Sequence, residues 1–172
     1  MEIIPGVGVG KVKFGMNKSD VILMLGEPDR REEIEYNSVT HDQASRFYYF
    51  NLKLCLSFEC DDDYRLGCVT VLGYGYELFN RDLYNLPKNT VRKLVAKCSD
   101  EIAKDEDWST DEDSSLECLD HDGLGILFWF KNGYLDKLEC SYFFEPDGET
   151  VIWPYENKED THPKRKQRRH PS

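Results

Sequence analysis

Residues 52–58 alternate strictly: Leu52, Leu54, Leu56 and Phe58 are apolar, with Lys53, Cys55 and Ser57 between them. A two-residue period buries one face of a strand. The turn residues Asp61, Asp62, Asp63 and Tyr64 follow, and residues 66–72 run back as a second apolar stretch. Together they predict an antiparallel hairpin. Upstream, residues 47–50 form a dense aromatic run with strand propensity. The polar residues 30–46 predict an edge strand near 33–36 and a loop through Asp42.

The second half shows related patterning. Residues 77–85 read as a helical turn. Pro87 suits the first turn of a helix whose apolar face is Val91, Leu94, Val95 and Cys98, continued by Ile102. Residues 105–115 read as an acidic loop, 116–119 as a strand and 124–130 as another strand. Asn132-Gly133 is a strong hairpin turn, so residues 134–144 return. Residues 151–154 add a short edge segment. Trp129 alternates with Phe128 and Phe130, which puts it with Leu127 on the opposite face of the strand.

Residues 6–29 read GVGVGKVKFGMNKSDVILMLGEPD. Gly6, Gly8 and Gly10 alternate with valines, and Val12 and Phe14 with lysines, which predicts an extended segment with one bare face. Gly15 turns, Asn17 or Ser19 caps a short helix with Val21, Leu23, Met24 and Leu25, and Gly26 with Pro28 ends it. The glycines do not form a dinucleotide loop. That motif needs a buried strand before the first glycine and a helix at the last, and residues 11–14 continue extended.

The two halves align at an offset of 70: residues 54–58 fall on 124–128, the turn at 61–64 on 131–134, and helix 18–25 on 88–95. A duplicated supersecondary unit must bury its apolar face against a partner. The expected fold is therefore α+β, an antiparallel sheet with helices packed on one face, built from two helix–strand–hairpin units. Residues 1–73 form unit one, 74–155 unit two packed with it as one domain, and 156–172 a disordered basic tail.

Charge narrows the function. The 172 residues carry 33 Asp and Glu against 22 Lys and Arg, a net charge of −11. Residues 158–172 hold six basic and two acidic residues, so the remaining body has 16 basic and 31 acidic residues, a net −15. Such a body repels nucleic acid and membrane surfaces and attracts basic proteins. Glu2, Pro5 and the glycines do not suit a signal peptide, and no stretch approaches the about 20 apolar residues of a membrane span, so a cytoplasmic protein is expected. The cysteines at 55, 60, 68, 98, 118 and 140 lie mostly in apolar patterns and read as reduced core residues.

A catalytic or metal constellation does not emerge. Cys118 and His121 are the only close Cys/His pair, and no second pair matches them. His41 and His121 have no spacing that marks a nucleophile–base pair. The calcium-like run from Asp105 has Thr110 where glycine is needed and Leu116 where glutamate is needed. No cofactor is expected. What remains is acid and aromatic side chains for a protein partner: Asp61, Asp62, Asp63, Tyr74, Tyr76, Asp105, Asp107, Trp108, Asp111, Asp113, Asp120, Asp122 and Trp129. Tryptophan and tyrosine are favoured interface anchors, and charge complementarity speeds encounter.

Gly15, Met16, Asn17, Asp20, Val21, Leu25, Gly26 and Pro28 match a motif. It resembles the start of the small α+β unit of outer-membrane assembly lipoproteins of the SmpA/OmlA type. The repeat plan over residues 6–144 is similar to the β-lactamase inhibitor protein, a tandem pair of such units. This resemblance implies a non-enzymatic protein-binding scaffold. Stand-alone members of this look include immunity proteins that neutralise a cognate toxin, among them those of contact-dependent growth inhibition. The expectation is a monomeric inhibitor that covers the active site of a basic, nuclease-type toxin. The alternative is an assembly-factor or chaperone-like module using the open sheet face.

Overall fold

The computed structural model describes residues 1–37, 42–108, 110 and 115–155. The chain begins with β1 (Glu2–Ile4), β2 (Gly8–Val9), β3 (Val12–Lys13) and α1 (Lys18–Leu25). A meander follows: β4 (Arg30–Asn37), β5 (Asp42–Tyr49), β6 (Leu54–Glu59) and β7 (Leu66–Val71). After β8 (Glu77–Leu78), β9 (Arg81–Asp82) and α2 (Lys88–Val95) comes a second: β10 (Lys104–Asp107), β11 (Leu116–His121), β12 (Ile126–Lys131) and β13 (Tyr134–Ser141). β14 (Phe143–Phe144) and β15 (Val151–Ile152) pair alone.

The meanders join edge to edge into one eight-stranded antiparallel sheet, ordered β10-β11-β12-β13-β7-β6-β5-β4. The seam is β13 against β7, from Leu138 opposite Val71 to Ser141 opposite Cys68. Register places Phe47, Leu56, Val69, Cys140, Ile126 and Leu119 on one face, all buried. A five-stranded sheet, β3-β2-β1-β8-β9, contributes Ile3, Val9, Val12 and Leu78 to the same hydrophobic core, beside Val21 from α1 and Val91 and Val95 from α2.

This architecture corrects the expected fold class. Among the described residues the chain is mostly β, and the two helices have only eight residues each. A second sheet shares the hydrophobic core with them, and each half contributes a four-stranded meander. The difference has two local causes. β10 carries charge on both faces because it is an edge strand, so it reads as loop. Residues 77–85 form a small hairpin, not a helical turn, with Phe79 and Asn80 both left-handed at φ 54° and 61°.

The glycine stretch also differs from an extended segment. Gly10 turns the chain between β2 and β3 at φ 58°, and Gly6 lies so close to the Phe143 ring that a methyl group would collide with it. α1 begins and ends as its residues dictate: Asn17 Oδ1 accepts from the Asp20 amide at 2.8 Å, and the Gly26 amide closes the last turn onto Ile22.

Candidate functional site

The large sheet's second face carries polar and charged side chains. One row crosses all eight strands: Lys104, Asp120, Leu127, Glu139, Thr70, Cys55, Tyr48 and Arg30. The next row holds Glu106, Cys118, Trp129 and Lys137. Trp108 continues β10, its amide bonded to the Leu116 carbonyl at 3.2 Å. Its ring meets Trp129 edge to face at a centroid distance of 5.6 Å, and its Nε1 donates to Glu106 at 2.8 Å. Trp108 remains 52% exposed. Lys137 lies 5.0 Å from the Trp129 ring centre and donates to Glu139 at 2.9 Å.

Charge is concentrated at this edge. Residues 100–122 contain eleven carboxylates against one lysine, a net −10. Lys104, opposite Asp120 in the register, donates to Asp122 at 2.6 Å. Burial, then Asp122 and Glu106, push the Asp120 carboxyl above its ordinary range. Burial, then Glu106, Asp120 and Glu139, push the neighbouring Cys118 thiol up to about 12. Burial is the main cause in both groups, and the surrounding carboxylates add to it.

The structure divides the expected partner-binding residues. Trp108, Trp129 and Asp120 come together on the second face, with Asp122 at its margin. Asp105 faces the other way, where it pairs with Lys88 at 3.1 Å and with Arg92 from α2. Asp107 is exposed on that same side of β10. Asp61 and Asp63 are exposed at the β6–β7 turn, but Asp62 is buried, its carboxylate bonded to Tyr142. Tyr76 is likewise buried, donating to the Leu52 carbonyl. Asp62 and Tyr76 therefore hold the fold together and offer no surface to a partner. Tyr74 is exposed at the far end of β7, under Lys53 and beside Tyr84. Asp111, Asp113 and His41 lie outside the described residues.

Sequence reasoning missed Glu106, Glu139 and Lys137. The signal for Glu106 was its place two residues before Trp108, which shares its face once β10 is read as a strand. Cys118 and His121 lie on opposite faces, Cys118 beside Trp129 and His121 opposite Ile126.

No family model matches the chain, and no curated protein matches it. A solved structure similar to it is the 1.5 Å crystal structure of an extracellular protein containing a SCP domain from Bacillus anthracis str. Ames. The likeness has a TM-score of 0.43 at 15% identity and covers 75% of this chain and 44% of that one. A likeness this weak carries no argument about fold or activity. Among the described residues, no helix is long and apolar enough to cross a membrane.

Proposed function

We propose that this chain is a non-enzymatic protein-binding inhibitor of the immunity type. It neutralises a basic toxin domain, of nuclease type, by laying the β10–β11 edge over that domain's active site. The carrying observation is the exposed Trp108, packed on Trp129, within a stretch of net charge −10. An aromatic anchor supplies binding energy, and a single-sign field steers encounter with an oppositely charged partner. Both sheet edges are charged, so pairing through an added strand is disfavoured and side chains make the contact. The test is co-expression with the product of the adjacent reading frame. Rescue from toxicity, with association slowing about tenfold or more between low and high salt, supports the proposal. A non-toxic neighbour, or a toxic one that is neither bound nor rescued, defeats it.

One observation favours a second reading, an assembly-factor or chaperone-like module. Away from the β10 edge the open face sets opposite charges side by side, with Arg30 3.8 Å from Glu32, and Tyr48 donates to Glu32 at 2.7 Å. Docking centred there would be nearly indifferent to salt.

A further inference from the structure

The chain has tryptophans at 108, 129 and 153. Lys137 covers Trp129, and Arg65 lies 5.6 Å from the Trp153 ring centre. Trp108 carries no such cation among the described residues, although it is exposed and sits in the most acidic part of the chain. Its ring is also prepared for one. The indole N–H donates to the Glu106 carboxylate, which draws positive charge to the ring's edge and enriches its face in electron density. Trp129 packs against it and fixes its orientation.

The carboxylates complete the pattern. Glu106 lies at the indole edge, and Asp120 is one residue pair further along the same face, half-buried, opposite a Lys104 that it shares with Asp122. Resting on the inhibitor reading above, we propose that the Trp108 indole face is the seat of one arginine side chain from the basic partner, its guanidinium stacked on the ring and paired with Glu106 and Asp120. Arginine fits better than lysine. A planar fork can lie flat on an indole while its edge donates to two carboxylates, whereas an ammonium is a compact point charge that sheds water reluctantly.

The test follows the three indole N–H signals by NMR in the full chain, titrated with N-acetyl-arginine amide and, separately, with N-acetyl-lysine amide. Polyarginine serves as a third probe of the acidic edge as a whole. The expected result is that the Trp108 and Trp129 signals move with the arginine probe while Trp153 stays still. The lysine probe should bind several-fold more weakly. Trp108→Ala and Asp120→Asn should each weaken arginine binding about tenfold, the equivalent of about 1.4 kcal/mol. Glu77→Gln, an exposed acid on the five-stranded sheet, should change nothing, and circular dichroism of all three variants confirms folding. Equal shifts with lysine, or equal losses in the Asp120 and Glu77 variants, overturn the arginine seat and leave the acidic-edge reading standing. Polyarginine binding without any response to the single arginine does the same. If polyarginine fails to bind in low salt, both fall together.

Discussion

The Tyr142 hydroxyl lies 3.1 and 3.0 Å from the two carboxylate oxygens of Asp62, donating to a buried acid eighty positions earlier in the chain. Asp62 is 8% exposed. The contact ties the β6–β7 turn to the end of β13. Tyr142→Phe removes one donor from a buried charge and should cost about 1–3 kcal/mol, read from urea unfolding. Partner binding by the folded variant should be unchanged.

His121 is 1% exposed, and neither ring nitrogen has a hydrogen-bond partner among the described residues. An unsatisfied buried polar group is a liability that an apolar side chain of similar size removes. His121→Leu should leave stability unchanged or raise it by about 1 kcal/mol in thermal melts. A marked loss would mean that the imidazole has a structural partner.

The thiols should differ sharply in reactivity. Cys98 is exposed, whereas burial pushes Cys68 and Cys118 up to about 12 and raises the buried Cys140 as well. Cys68 keeps some exposed surface, but its thiol is still enclosed by strand neighbours. A thiol at about 12 is ionised to about one part in ten thousand at pH 8, and the thiolate is the reactive form. A disulfide reagent should therefore modify Cys98 first and reach all six cysteines only after denaturation.

Asp105 and Asp120 should respond to pH in opposite senses. The Arg92 guanidinium, bonded to Asp105, holds that carboxyl below its ordinary range, and Lys88 adds to the effect. Its stabilisation is present above the unfolded value near about 4 and fades as pH falls through the folded value. Asp105→Asn should thus lower stability at neutral pH by less than about 1 kcal/mol, because the pair is exposed. That loss should shrink in acid and in high salt. Asp120 is raised, by burial and then by Asp122 and Glu106, so its ionisation weakens the fold at neutral pH. Asp120→Asn should melt higher than the parent at pH 7, with the gain disappearing below about pH 4.

Much of the strand order was legible wherever one face is buried. The alternation from Leu52 to Phe58 gave β6, and Asn132-Gly133 gave the β12–β13 turn, with Asn132 at φ 53° and Gly133 at φ 79°. Parity alone places Trp129 on the open face, because its neighbours Phe128 and Phe130 are core. β10 was illegible because Lys104, Asp105, Glu106 and Asp107 are all exposed, and an edge strand of charges has no apolar period. That error hid Glu106 beside Trp108. The burial of Asp62 and Tyr76 was also invisible, since it depends on Tyr142 and Leu52, which are distant in sequence. A run of three aspartates looks uniformly solvated until the fold turns one of them inward.

The seam between β7 and β13 has a consequence for synthesis on the ribosome. The outer edges, β4 and β10, are guarded by charge, but β7 presents Leu66, Val69 and Val71 along an edge that stays open until β13 arrives. Translation at roughly 5–20 residues per second leaves roughly sixty residues, or several seconds, between the two strands. During that interval the nascent first meander exposes an apolar strand able to pair with another chain. Newly made protein should therefore be most prone to aggregate while half-built, and a ribosome stalled near residue 100 should hold a product that needs shielding by a chaperone of nascent chains.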